Sequence, residues 1–505
     1  MAIEQGKLSI VKEGKAKKFL QRVNQITFSG RYARDRGQPV IFVTERAVFE
    51  LKKEGLVLTE IAPGVDMDRD ILDLMDFKPI ISGTLKTMDS RIFKDEPMGI
   101  ADEFFSNICF DGTQISGGSW LAMLSVIKNV TEIVWGIGAV EKVSELVAKN
   151  KARNVLVITD KGIVNSGVIR AVTHQLSQVT YEVFDEVEPN PSVRTVDKAV
   201  EICRRLNADM LIGVGGGSPI DVAKAVGVLH ANGGSIVQYE GIDTFSKPIT
   251  PLLAIPTTSG TGSEVTSFTV ITDTERNYKL TVGGVLVAAK WAVVDPQLTV
   301  TVPAKITAAT GIDALVHAIE SYTSLASFHY SEVLALDAMQ LISANLRQAV
   351  YHGENLRARE NMLLASLHAG LAFNNTRLGN AHAISHPLSA FFGIAHGVAN
   401  GILLPVIMEF NVLACPEKFA RIAEAMDSSV SGNVLEKSYK SIEIVRQLAK
   451  DIGIPSSISE LGIDKEAYEK AIPEMAQDAM KSGNIKVNPR LTRLEDVTAL
   501  YRQIY

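Results

Sequence analysis

Short apolar runs separated by turn residues fill the first hundred positions. "KLSIVKEG", "PVIFVTERAVFEL" and "GLVLTEIAPG" carry the two-residue alternation of strands, and a short helix is predicted from Asp70 to Met75. Residues 1–100 therefore predict a small α+β extension. Residues 101–127 open on "ADEFFSNICFDGTQISGGSW", where Gly, Ser and Asp mix with scattered aromatics without a period, the texture of a linker. Between 128 and 300 the two periods take turns. Helical "GAVEKVSELVAKN", strand "NVLVIT", a helix near Gly167 to Ser177, strand "YEVFDEV", helical "SVRTVDKAVEICRRL", strand "DMLIGVG" and a helix from Pro219 follow one another. Such alternation means βαβ units on a parallel sheet, a Rossmann-like α/β domain. After Pro303 only helix-period stretches such as "AKITAATGIDALVHAIESYTS" remain, so 301–505 predicts an all-α domain.

Composition narrows the function classes. A chain of 505 residues is too long for one core and splits into domains. Its 46% hydrophobic and 21% charged residues leave no room for long disorder. A net charge of −6 and a pI near 5.9 give no basic field for phosphate backbones, which argues against nucleic acid and for small ligands. The N-terminal stretch lacks an apolar signal core and no eighteen apolar residues run together, so no membrane partner is expected. Cys109, Cys203 and Cys415 are too few and too far apart for disulfides or a thiolate cluster, which suits a reducing cytoplasm.

Three stretches carry chemistry. In "MLIGVGGGSPIDVAKAVGV" a buried strand ends at Val214, turns through Gly215, Gly216 and Gly217, and restarts as a helix. Ser218 can cap that helix, Pro219 suits its first position, and Asp221 lies in the capping-box relation. Glycines let a diphosphate approach the backbone, and the helix N-terminus offers free N–H groups, although the same pattern also serves a simple tight turn. A second loop, "PTTSGTGSEVTSF", presents several hydroxyls to a polar ligand. In "GIDALVHAIESY", Asp313 and His317 are four apart and share a helix face; His382 and His386 are also four apart in "AHAISHPLSAFFGIAHG", with His396 after Pro387, which is expected to interrupt the helix. One carboxylate and several imidazoles suit Fe(II) or Zn(II) better than calcium or magnesium, and five candidates compete for about four places. Phe373, Phe391 and Phe392 suggest a small, partly apolar substrate.

In these motifs, and in "GGGSPIDVAKA", "PTTSGTGSEVT", "HAISHPL", "AHGVANGILLP" and the ending "NPRLTRLEDVTALYRQIY", residues 128–505 resemble the iron-containing (group III) alcohol dehydrogenase family. The resemblance implies the dehydroquinate synthase-like fold, a Rossmann-like dinucleotide domain followed by an all-α metal-binding domain. It implies metal ligands Asp313, His317, His382 and His396, and a proton-transfer role for His386, a side chain that titrates near neutrality. Its cofactor contacts carry over to Asp160, placed at the close of the strand "VLVIT", and to Asn190, Gly215, Gly216, Gly217, Ser218, Asp221, Thr257, Thr258, Thr266 and Lys279. A carboxylate at Asp160 would repel a 2′-phosphate, so NAD is expected over NADP. Fe(II) is the family's metal, with Zn(II) the alternative. The implied activity is hydride transfer between NAD(H) and a small primary alcohol, diol or aldehyde, in a homo-oligomer. Ala395 departs from the family's frequent proline before the last ligand.

Residues 3–100, through "ITFSGRYARDRGQPVIFVTERAVFELKKEGLVLTEIAPGVDMDRDILDLMDFKPII" and "MDSRIFKDEPMG", resemble the C-terminal end of a family I acyl-CoA transferase. That family's covalent glutamate lies in an upstream motif that this stretch lacks, and Glu45 and Glu60 do not replace it, so no transferase activity is expected. Two other readings compete. A dehydroquinate-synthase-like lyase would need several basic residues for a phosphate-bearing substrate, and the stretch from Asn374 to His396 has only Arg377. A non-catalytic assembly role would leave a complete metal motif idle.

Overall fold

The structure, a computed structural model, describes the chain except residues 5, 15, 16, 18, 22–28, 36–38, 97, 99–125 and 277. Nearly all of the expected linker, with Cys109, lies outside the described residues. Two compact units result, Met1–Ala122 and Met123–Tyr505.

In the first unit β1 (Ala2–Glu4) pairs with β2 (Lys7–Ser9), and β3 (Ile41–Val43), β4 (Ala47–Lys52), β5 (Gly55–Ile61) and β6 (Ile80–Thr87) form a second sheet in that order. The expected single run "PVIFVTERAVFEL" is two strands. Thr44 Oγ1 accepts from Ala47 N at 3.0 Å and closes a tight turn between them. The expected helix from Asp70 to Met75 is instead a short turn of helix, Met67–Asp70, capped by Asp66, followed by a 3₁₀ turn, Leu72–Leu74. Phe49, Leu58, Ile71 and Met75 fill the core of this unit.

The second unit is built on a six-stranded, wholly parallel sheet. Its order is β7 (Glu132–Trp135), β15 (Trp291–Val294), β12 (Leu252–Pro256), β10 (Met210–Gly215), β8 (Asn154–Ile158), β9 (Thr180–Phe184). The central strands are apolar throughout because helices cover both faces. The pleat divides β10 between two cores, with Leu211 in one and Met210, Ile212 and Val214 in the other. Helices α1 (Val193–Leu206) and α2 (Gly217–Asn232) flank it, α1 capped by Ser192. A side sheet not anticipated from the pattern joins β11 (Gly241–Ile242) to the hairpin of β13 (Phe268–Asp273) and β14 (Tyr278–Gly283).

Beyond Pro303 no strand occurs among the described residues. The helices are α3 (Ala304–Thr323), α4 (His329–Tyr351), α5 (Leu356–Thr376), α6 (Asn380–Phe392), α7 (His396–Asn411), α8 (Pro416–Met426), α9 (Val434–Asp451), α10 (Lys465–Lys481) and α11 (Leu494–Gln503). Helix α3 is buried on nearly every side from Gly311 to Thr323, which places its polar residues inside the protein. The stretch His396–Ala414 is long and apolar enough to cross a membrane, but most of it is buried in the helical core.

Candidate metal centre and cofactor cleft

Asp313 and His317 lie one turn apart on α3 and face His382 on α6 and His396, the first residue of α7. Pro387 does not interrupt α6 as expected. The helix gives up one backbone hydrogen bond, toward Ala383, and continues to Phe392; Gly393, at φ 66°, makes the reversal into α7. Asp313 Oδ1 stands 3.8 Å from His382 Nε2 and 3.9 Å from His396 Nε2, and Oδ2 stands 4.0 Å from His317 Nε2. These gaps exceed hydrogen-bond length. They are a few tenths of an ångström wider than the ligand spacing around one ion bonded at about 2.1 Å, roughly 3.4 Å for a tetrahedron.

The donor chemistry fits a dication. Burial holds His382 at about 3, with His317 adding to the effect, and burial with Lys279 holds His396 well below its ordinary range, so both rings keep lone pairs. Outer contacts set their direction. His382 Nδ1 donates to Glu320 Oε2 at 2.6 Å and His317 Nδ1 to Gly260 O at 3.2 Å, which turns both Nε2 atoms inward. The Asn400 amide is 2.7 Å from Asp313 Oδ1, 3.1 Å from His382 Nε2 and 3.2 Å from His396 Nε2. Its two protons cannot serve three acceptors, so the cluster has more lone pairs than donors. Asp313, His317 and His382 meet as a buried group of metal-binding spacing.

His386, one turn past His382, has its ring centroid 5.2 Å from that of His396. Burial and the Lys279 charge push it well below its usual range. It therefore stays neutral at physiological pH, a correction to the expectation that it titrates near neutrality. Phe373 stacks on His317 at 4.5 Å. Phe391 and Phe392 do not line the cleft; they pack on the helical core, Phe392 against Tyr468.

A cleft of about 470 Å³ runs from the glycine loop to these histidines. Asn190, Gly217, Ser218, Asp221, Thr266 and Lys279 line it together with Asp313, His317, His382, His386 and His396. Ser218 is not the cap of α2, and its capping box with Asp221 does not form. The helix starts two residues earlier, with Gly216 at the cap position, so Ser218 falls inside the first turn. Asp221 Oδ2 instead accepts from Val270 N at 2.9 Å, while Oδ1 is buried without a partner. Lys279 Nζ donates to Asn190 Oδ1 at 2.8 Å, and burial lowers it to about 8 against the pull of Asp313 and Asp221.

Asp160, Gly215, Gly216, Thr257 and Thr258 do not line the cleft. They gather at the glycine loop. Gly215, at φ 147°, leaves no room for a Cβ beside Pro219, and Gly217 none beside Thr261. Thr257 N donates to Gly215 O at 2.9 Å. Asp160 lies two residues past the end of β8 and caps the helix Lys161–Asn165, its carboxylate beside Gly215. Glu320, Asn400 and the buried Lys224, whose Nζ donates to Thr266 O and Phe268 O, are supporting residues that sequence reasoning missed. Glu320 stands three residues after His317 and Asn400 four after His396, helical spacings that would have found them.

Comparison with known proteins agrees with this architecture. Residues 130–296 match the model for iron-containing alcohol dehydrogenase, and 307–505 that for the C-terminal part of the Fe-containing alcohol dehydrogenase family. The 1,3-propanediol dehydrogenase of Klebsiella pneumoniae is 41% identical over 74% of this chain and 96% of its own length. The NAD-dependent methanol dehydrogenase of Bacillus methanolicus is 37% identical over 73% and 97%. A crystal structure of 1,3-propanediol oxidoreductase superposes with a TM-score of 0.73 at 39% identity, covering 76% of this chain and all of that one.

Proposed function

This chain belongs to the iron-containing alcohol dehydrogenase family, and we propose that it interconverts a small primary alcohol or diol and its aldehyde with NAD(H) in the cleft of residues 123–505. The observation that carries the proposal is the inward-facing set of imidazole nitrogens around Asp313. Asp313, His317, His382 and His396 would hold a divalent ion, Fe(II) by family and Zn(II) by equal chemical fit. When bound, that ion supplies a Lewis acid for the substrate oxygen, and the nicotinamide supplies the hydride acceptor or donor.

The chain's own residues do the rest. Gly217, Ser218 and the free N–H groups opening α2 suit a diphosphate, and Lys279, held by Asn190, adds positive charge along the same wall. Asp160, beside Gly215, would meet the adenosine ribose and disfavour a 2′-phosphate, so we assign NAD over NADP. Phe373 walls the reacting end and excludes water from it. In alcohol oxidation the C–H leaves as hydride and the O–H proton leaves toward His386 Nε2 or Nδ1, which is available because the ring is neutral; in reduction the proton returns by the same route. We read residues 1–100 as a transferase-like module without transferase chemistry, and the whole as a cytoplasmic homo-oligomer. Protein reconstituted anaerobically with Fe(II), or with Zn(II), should oxidise NADH with short aldehydes. Absence of turnover across a panel of alcohols, diols and aldehydes in both loaded forms would reject the proposal.

A further inference from the structure

Helix α5 ends at Thr376, and Arg377 follows with φ 60° and ψ −171°. That region of backbone space is almost reserved for glycine, because a Cβ crowds the flanking peptides there. Helices commonly place glycine just past their end for this reason. An arginine held in such a conformation stores strain, and strain of this kind concentrates where a side chain has work to do.

The side chain has a defined place. Arg377 lines the cleft beside Phe373, Leu378 and Lys481. A Cβ at Gly483 would collide with Arg377 Nη1, so the guanidinium lies against glycine backbone that makes room for it. Among the described residues no carboxylate forms an ion pair with it. Asp478, the acid lining the same mouth, is taken by Lys481 at 2.7 Å. The turn from Phe373 to Arg377 leads from the ring stacked on His317 to this unpaired cation. A short substrate with its reacting carbon at the histidines and its methylenes over Phe373 would bring its far end toward Arg377.

We propose that Arg377 is a specificity-determining residue that receives a carboxylate on the end of the substrate remote from the reacting carbon. The favoured substrates are then short ω-hydroxy acids and their semialdehydes. A planar guanidinium matches a carboxylate with two parallel hydrogen bonds, which a neutral alcohol or diol cannot make. This inference rests on the dehydrogenase reading above and narrows its substrate class.

The test compares butanal with 4-oxobutanoate, equal in chain length and differing in the terminal carboxylate, using metal-loaded protein and NADH. The expected preference for 4-oxobutanoate in kcat/KM is about 10- to 100-fold, expressed mainly in KM, and Arg377→Gly should collapse the ratio toward one while Arg377→Lys restores part of it. A wild type that favours butanal, or a ratio unchanged in folded Arg377→Gly, would overturn the proposal and leave the dehydrogenase reading intact. Thermal unfolding with 4-hydroxybutyrate gives a second readout that needs no turnover. A rise in unfolding temperature for the wild type and none for Arg377→Gly supports the assignment even if neither aldehyde is reduced, an outcome that would instead reject the dehydrogenase reading. No rise in either protein, together with equal use of the two aldehydes, overturns it.

Discussion

Glu320→Gln separates a ligand-orienting carboxylate from a merely buried one. Glu320 is fully enclosed and accepts from Ala381 N at 2.6 Å, His382 N at 3.4 Å and His382 Nδ1 at 2.6 Å. The two backbone donors belong to the first turn of α6, where the helix end favours negative charge. Glutamine keeps an oxygen for Ala381 but turns an NH₂ group toward the His382 Nδ1–H. The ring escapes that donor–donor clash by moving its proton to Nε2, the atom that faces Asp313 and must keep a lone pair to bind an ion. Loss of such an outer partner lowers metal affinity about 10- to 100-fold. That corresponds to about 1.4–2.7 kcal/mol, within the range of one charge-assisted hydrogen bond.

The assay is a Zn(II) titration of chelator-stripped protein against a chromophoric competitor. Burial raises Glu320 to about 7, so the ionised acceptor is lost as the pH falls through that value. His382, held at about 3, contributes nothing there. Wild-type affinity should therefore decline below about pH 7, and Glu320→Gln should start lower and show a flatter decline. An affinity within about twofold of the wild type, with the same pH profile, would refute the orienting role.

Three further outcomes are expected. His386→Ala should lower kcat by about 10²- to 10⁴-fold with metal content unchanged by elemental analysis; loss of metal would mean that the residue is a ligand. Asp160→Ala should raise the NADPH-to-NADH ratio of kcat/KM by at least about fivefold, since one like-charge contact near a surface is worth on the order of 1 kcal/mol or more; a constant ratio would remove Asp160 from cofactor choice. Lys279 is charged below about 8 and neutral above, so KM for NADH should rise as the pH passes that value, and Lys279→Arg, which stays charged, should abolish the rise in a steady-state pH series.

Helical spacing made much of the site legible. The pairs Asp313–His317 and His382–His386 share faces on α3 and α6 because four residues make about one turn, and the run from strand to glycines to helix announced β10 and α2. What stayed hidden depends on contacts far apart in sequence. Whether Pro387 breaks α6 is decided by the packing around Ala383 and by Gly393, not by the proline alone. Ser218 lost its cap role because the glycine loop enters the helix two residues early. The hairpin of β13 and β14 does show alternating burial along "FTVITD", but the hydroxyl-rich loop before it masked the period. Strand β6, mostly open to solvent, has no apolar face for a pattern to reveal. Glu320 and Asn400 read as ordinary helix residues until the fold closes them around the histidines.

The central claim is that Asp313 and three imidazoles bind one catalytic dication. Its most direct test is the metal content of the intact chain purified under anaerobic, iron-replete conditions, beside folded Asp313→Ala. One ion per chain, lost in Asp313→Ala, is the predicted result. A wild type without stoichiometric metal after loading with either Fe(II) or Zn(II), or an Asp313→Ala protein that retains it, would contradict the account.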